Sequence, residues 1–182
     1  MRLNIANDLY IREIEVKDVD ITYQLISKNT DYLMTWFGWA KHTKSVQDRE
    51  DYIKEVIEER KKNEGNDFVI VSNDDVKGVV GYIMKNERTA FIGYWLDENS
   101  QGNGLVTRSV KALIEYMFKE IGVHRIEINI AEENIKSRKI PERLNFRLEG
   151  ILRDVDFRDG KCESEAVYSI LKPEYNRVIS NS

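Results

Sequence analysis

The stretch DENSQGNGLVTR, residues 97–108, sets Gly102 and Gly104 one residue apart, directly before an amphipathic pattern. Glycine reaches backbone conformations closed to other residues and lets the main chain come close to a ligand. A helix opening just after such a turn has N–H groups without intrahelical acceptors and the positive end of its dipole facing outward. Successive amides in such a turn can converge on one anion. Residues Gln101, Gly102, Asn103, Gly104, Leu105, Val106 and Thr107 are therefore a candidate anion site, with phosphate as the first ligand to consider; a turn that holds nothing is the alternative.

Two phosphate motifs fit poorly. A P-loop needs Lys-Ser/Thr after its last glycine, and this chain has Leu105-Val106 there. A dinucleotide fingerprint wants a small residue where Thr107 stands and an acidic residue closing the next strand, yet that strand ends in Asn129-Ile130-Ala131. Metal chemistry is poorly supplied: the only histidines, His42 and His124, lack partners at ligand spacing. No metal is expected.

The bulk properties narrow the classes further. The chain has 182 residues, the size of one ordinary domain, so a single domain over 1–182 is the simplest expectation. A net charge of −4 lacks the basic surplus of a nucleic-acid binder, and no nucleic-acid partner is expected. One cysteine, Cys162, leaves no internal disulfide, as in a reducing compartment. The opening MRLNIANDLYIREIEV has no basic run followed by an apolar one, and no window of 18 apolar residues occurs, so a cytoplasmic protein without a membrane partner is expected.

The elements that must hold the turn can be read from periodicity. LYIREIEV (9–16) alternates as a strand, and a helix follows KDVD and reaches Asn29. DYLMTWFGW (31–39) gathers Trp36, Phe37 and Trp39, either as core or as the lining of a pocket. Ser45 caps a helix running to Asn63, with Gly65 ending it. Strands at 67–73, 76–84 and 89–96 form an antiparallel meander. Val110, Leu113, Ile114, Met117, Phe118 and Ile121 give a clean helical face that Gly122 stops. Then come a strand at 124–131, a short helix at 134–144, a long strand at 146–157, a hairpin turn at Asp159-Gly160 and a last strand at 165–172. The strand–glycine turn–helix–strand unit over 89–131 makes its two strands parallel, with the turn at the carboxyl end of the first.

Gln101-Gly102-Asn103-Gly104 resembles the Gln/Arg-x-x-Gly-x-Gly/Ala signature of the Gcn-related N-acetyltransferases, the GNAT superfamily. The likeness extends through IGYWLDENSQGNGLVTRSVKALIEYMF and through Asn134, Ser137, Phe146, Glu149 and Gly150 to the branch that acetylates ribosomal-protein N-termini. Val106 departs from the small residue usual at its position, and Asn145 replaces the usual glycine before Phe146. The resemblance implies an α/β (α+β) GNAT fold: a single mixed, twisted sheet of about seven strands flanked by helices, its central parallel strands splayed. It implies acetyl-CoA as cosubstrate, with main chain near Trp95 and Leu96 binding the pantetheine arm, residues 101–107 the pyrophosphate, and Asn134 the arm or merely the cap of its helix. A homodimer or higher oligomer follows from family habit.

The same resemblance implies direct transfer of acetyl to an amine. A protein α-amine has pKa ~8 and a lysine ~10.4, so roughly a tenth of an α-amine is already neutral at pH 7. The N–H of Leu96 or its neighbour would polarise the carbonyl. Ser137 matches the serine placed near the thioester sulfur; an ordinary early-helix serine is its plainer reading. Pro141 has no N–H, so the carbonyl of residue 137 loses its usual helical partner and is a candidate to bind cofactor or water. Asp156 would serve as base through a water, and Glu165 would recognise substrate, unless both are surface carboxylates. Trp36 and Trp39 would cover the acceptor end. The expected acceptor is a ribosomal-protein N-terminus; a small amine, or acyl-CoA binding without turnover, are the alternatives.

Overall fold

The computed structural model describes residues 1–158 and 160–180. Eight strands lie in one mixed sheet in the order β1-β2-β3-β4-β5-β6-β8-β7. The strands are β1 Arg2–Ala6, β2 Leu9–Glu13, β3 Gly65–Ser72, β4 Asp75–Asn86, β5 Thr89–Leu96, β6 Arg125–Ala131, β7 Arg147–Arg158 and β8 Lys161–Leu171. The helices are α1 Val19–Lys28, α2 Thr30–Met34, α3 Val46–Lys61, α4 Leu105–Tyr116, α5 Ile135–Arg143 and α6 Lys172–Ser180. The chain forms two compact units, Met1–Ile83 with Tyr94–Ala112, and Met84–Gly93 with Leu113–Ser182.

In the first unit, the core is built on one face of β3 and β4. Val69, Val71 and Val79 meet Ile14, Val19, Ile26, Leu33, Ile53 and Val56 from α1 to α3 and their approaches. Trp95 joins this cluster through its side chain. Ser45 accepts from the Asp48 amide at 3.1 Å, while Asp48 accepts from the Ser45 amide at 2.8 Å, a reciprocal cap for α3. Asp18 is gripped by both terminal nitrogens of Arg12, at 2.7 and 2.6 Å.

In the second unit, Leu113, Ile114, Met117 and Phe118 are buried, as their spacing predicts. A π turn, Met117–Ile121, ends the helix, and Gly122 closes it at φ +82 by donating its N–H to the Met117 carbonyl at 2.9 Å. The parallel register of β5 and β6 consists of Thr89↔Arg125, Ala90↔Ile126 and Phe91↔Glu127. Past Glu127, β6 keeps its antiparallel partner β8 up to Ala131↔Glu165.

Three sequence expectations need correction. Eight strands form rather than about seven, because Arg2–Ala6 adds an edge strand whose residues alternate between exposed and half-buried, too polar to stand out by composition. The last element is α6 rather than a strand; Pro173 and Glu174 in its first turn are the signals that mark it. The aromatic stretch runs from α2 through a turn at Thr35–Trp36 into a 3-10 turn at Gly38–His42. The left-handed residue after α3 is Asn63, at φ 59, and Gly65 instead opens β3, where a Cβ would lie 2.9 Å from the Tyr82 carbonyl oxygen. Asp159, half of the expected hairpin turn, lies outside the described residues.

The approach of β5 to β4 depends on Gly78. A Cβ there would stand 2.2 Å from the Trp95 carbonyl oxygen and 2.8 Å from the Leu96 Cα. A Cβ on Gly93 would meet nothing within 4 Å. Gly78→Ala is expected to cost at least the roughly 1–3 kcal/mol typical of overpacking. Gly93→Ala should stay within about 0.5 kcal/mol, as substitutions away from packed features do. Urea unfolding of the two variants checks this contrast.

Candidate functional site

The glycine turn is fastened from below. The Asp97 N–H donates to the Lys77 carbonyl at 2.8 Å, continuing β5 past its end. The carboxylate of Asp97, 6% exposed, accepts from Asn29 Nδ2 at 3.0 Å, from Ser100 Oγ at 2.9 Å and from Lys28 Nζ at 3.4 Å. Asn29 answers with its own carbonyl oxygen, which accepts the Glu98 N–H at 2.9 Å. Burial alone raises the Asp97 pKa, but the Asn29 and Ser100 hydrogen bonds and the Lys28 charge outweigh it and hold the carboxyl below its ordinary value. Burial raises the Tyr32 pKa, and a hydrogen bond from the Gln101 side chain partly offsets that rise.

Above this anchor the chain turns with Gly102 at φ +82 and Gly104 at φ +67, both left-handed. A Cβ at either position would meet no atom within 4 Å, so the space over the turn is open. The first bond of α4 runs from the Arg108 N–H to the Gly104 carbonyl at 3.0 Å. The amides of Leu105, Val106 and Thr107 therefore precede any intrahelical acceptor, and glycine at the cap has no side chain to occupy them. The Gln101 N–H already donates to Glu98 at 3.3 Å, so the amide cradle proper begins at Gly102. Arg108, absent from the sequence-derived set, reaches back to the Asn103 carbonyl at 3.4 Å and sets a guanidinium beside the turn. Its signal was simply the first basic residue after the glycines. Two glycines in left-handed geometry, open space, amides at a helix start and a flanking arginine fit a diphosphate.

The other predicted residues are placed as follows. Asn134 caps α5, its Oδ1 accepting the Ser137 N–H at 3.1 Å, which is the plainer of its two readings realised in full. Pro141 is buried inside α5, so position 141 offers no N–H to the Ser137 carbonyl. The helix is tied to β8 by Arg138, which donates to the Tyr168 hydroxyl at 3.0 Å and to the Glu132 carbonyl at 3.0 Å. Tyr168 in turn donates to Glu142 at 2.8 Å. Asn145 takes a left-handed conformation at φ +61, which asparagine tolerates better than most residues.

Asp156 lies opposite Glu163 in the β7–β8 register, while Glu165 lies opposite Leu152 and Ala131. Between the pairs Leu152↔Glu165 and Asp156↔Glu163, β7 has two more residues than β8, with Asp154 at φ 54 in the bulge. Asn129 Nδ2 donates to Glu165 Oε2 at 3.4 Å. Trp39 is 37% exposed and packs between Phe37, at 5.6 Å, and Trp95, at 6.2 Å, between ring centroids. Trp36 is half-buried. The Leu96 and Trp95 side chains are buried, leaving their main chain as the part of β5 that a ligand could use.

Residues 8–147 match a family model described as an acetyltransferase (GNAT) domain. The chain belongs to the GNAT acetyltransferase family. A probable N-acetyltransferase of Bacillus subtilis (strain 168), YjcK, is 33% identical over 172 residues, covering 91% of this chain and 95% of that protein. The ribosomal-protein-serine acetyltransferase of Escherichia coli (strain K12) is 27% identical over 169 residues, covering 92% and 94%. Among solved structures, the ribosomal L7/L12 alpha-N-protein acetyltransferase RimL in complex with coenzyme A superposes with a TM-score of 0.91 at 22% identity, over 94% of this chain and 98% of that one. This GNAT protein is thus an N-acetyltransferase, with acetyl-CoA as the acetyl donor.

Because the folded pKa of Asp97 lies below the unfolded one, its contribution to stability is present above the ordinary aspartate pKa of 3.8 and is lost as pH falls through the folded value. Asp97→Asn is expected to lower stability at pH 7 by about 1–3 kcal/mol, the cost of disrupting a buried hydrogen-bonded charge. The difference from wild type should shrink as pH drops below 3.8. Urea unfolding across that pH range checks it.

Proposed function

We propose that this GNAT acetyltransferase acts on a protein α-amine of the ribosomal-protein type, and that residues 1–182 work as one acetyltransferase domain. The full-length likeness to a ribosomal-protein-serine acetyltransferase supports this acceptor class. The observation that carries the cofactor assignment within the chain is the open glycine turn at the start of α4. In this reading the amides of residues 102–107, with Arg108, hold the diphosphate, and main-chain groups of Trp95 and Leu96 hold the arm. Asn134 supports that arm through the helix it caps.

Acetyl-CoA, when bound, supplies a thioester whose carbonyl carbon accepts a nucleophile. The N–H of Leu96 donates to the carbonyl oxygen as charge gathers there. The acceptor nitrogen bonds to the carbonyl carbon, the carbon–sulfur bond breaks, and the sulfur leaves with the electron pair. Ser137 donates a hydrogen bond to that sulfur. Asp156, through a water, takes the proton that the amine sheds. Glu165 and the Trp36–Trp39 segment recognise the acceptor. Its α-amine, with pKa ~8, asks less of Asp156 than a lysine or polyamine would.

An oligomer is part of the proposal. The outer strand β7 exposes Leu148, Leu152, Val155 and Phe157, the last 70% exposed, apolar side chains on an edge strand that a second copy would cover. No described helix is long and apolar enough to cross a membrane. A ribosomal acceptor places the work in the cytoplasm.

CoA at a hundredfold excess over its Kd should stabilise the protein by about 2.7 kcal/mol, read as a rise in Tm. Gly104→Val, which fills the cradle at a left-handed φ, should abolish that rise; an unmoved Tm in the wild type would overturn the cofactor site. In steady-state kinetics with an α-amine peptide, Asp156→Asn should lower kcat at pH 7 by roughly 10²-fold or more, the range of a general base. The loss should be smaller at pH 9, where more of the amine is neutral. Equal rates at both pH values would remove Asp156 from the reaction.

A further inference from the structure

Proline at position 141 removes one lock from the helix that carries Ser137. Position 141 has no N–H to give the Ser137 carbonyl, although it lies inside α5. Main-chain bonds on either side persist: the Arg138 N–H donates to the Asn134 carbonyl at 3.0 Å, and the Leu144 N–H to the Ile140 carbonyl at 3.2 Å. A side-chain bridge spans the interrupted turn. Arg138 and Glu142 are four residues apart and share one face of α5, one on each side of the gap. The Tyr168 hydroxyl sits between them, accepting from Arg138 Nε at 3.0 Å and donating to Glu142 Oε1 at 2.8 Å. The Glu132 carbonyl holds Arg138 a second time, accepting from Nη1 at 3.0 Å.

Tyr168 is suited to be the fixed end of this bridge. It is 1% exposed and lies opposite Ile128 of β6 on one side and Leu148 of β7 on the other, so two ladders hold its backbone. Burial pushes its pKa up, outweighing the Arg138 hydrogen bond that lowers it, and the hydroxyl keeps the proton it gives to Glu142. Packing explains the ring but not the oxygen, since phenylalanine would bury the same apolar surface. Both partners of that oxygen are on α5, and one of them, Arg138, is the residue next to Ser137. We infer that Tyr168 is a positioning residue for acetyl transfer, its hydroxyl setting through Arg138 and Glu142 the direction in which Ser137 faces the departing sulfur. This role rests on the reading of Ser137 given above. Hydrogen bonds weaken steeply with angle, so a small rotation of the first turn of α5 is enough to lose the one to sulfur.

Tyr168→Phe removes one oxygen and leaves the ring. Thiol release from acetyl-CoA is followed with an α-amine peptide as acceptor and, where that is inert, with spermidine. In Tyr168→Phe, kcat should fall about tenfold, inside the range that misplacing a reacting group produces, while KM for acetyl-CoA stays within about twofold. The CoA-induced rise in Tm should stay as in wild type, which separates lost positioning from lost structure. On a Ser137→Ala background the same substitution should cost less than about twofold, because the group it positions is gone. Hydrogen exchange supplies an arm that needs no acceptor: the amides of Arg138, Lys139 and Ile140 should exchange about tenfold faster in Tyr168→Phe and at the wild-type rate in Ser137→Ala. An unchanged kcat in Tyr168→Phe, or unaltered exchange of those amides, overturns the inference. Ser137→Ala turning over at the wild-type rate would sink the Ser137 reading and this role with it. A slow Ser137→Ala that Tyr168→Phe slows about tenfold further would sink the positioning role alone.

Discussion

A buried carboxylate paired with a buried amide underlies the glycine turn proposed to hold the donor. Asp97 and Asn29 are 68 residues apart in sequence and 3.0 Å apart in space. Between them they satisfy the end of α1, the first amide beyond Asp97 and the hydroxyl of Ser100. Glycines make a turn deformable, and a deformable turn holds an anion poorly unless its base is fixed. Here the flexible part is short, and rigid elements grip it at both ends: the 3-10 turn before Gln101 and the first turn of α4 after Gly104. Pre-organisation of this kind spares binding the cost of ordering the loop.

The residues proposed to serve the transfer itself are held by a different kind of rigidity. Ser137 sits in the first turn of a helix capped by Asn134 and pinned to β8 through Arg138 and Tyr168. Asp156 and Glu165 are carried by the hairpin of β7 and β8, where strand register rather than side-chain bonding sets their spacing.

Much of this was legible in the residues. Period and caps marked α1, α3, α4 and α5 because each buries a regular apolar stripe or starts at Ser45 or Asn134. The glycine turn announced itself through Gly102 and Gly104, and both adopt the left-handed conformation for which glycine is suited. What escaped was non-local. Nothing near Gln101 in sequence points to Asn29 or Tyr32 as its supports. Strand β1 carries too few apolar residues to rise above its surroundings. The side-chain readings of Asn134 and Trp95 divided along the same line. Local capping was visible in Asn134, whereas the burial of Trp95 against α1–α3 needed the fold.

The two surplus residues between Leu152 and Asp156 have an evolutionary corollary. From Leu152 back to Arg147, β7 pairs with β8 in a register that the surplus does not touch. Lengthening or trimming that insertion would shift Asp156, Phe157 and Arg158 against Glu163, Cys162 and Lys161 while the pairs from Arg147 to Leu152 stayed in place. If Asp156 faces the acceptor as proposed, the hairpin tip could be retuned for new acceptors without rebuilding the rest of the sheet.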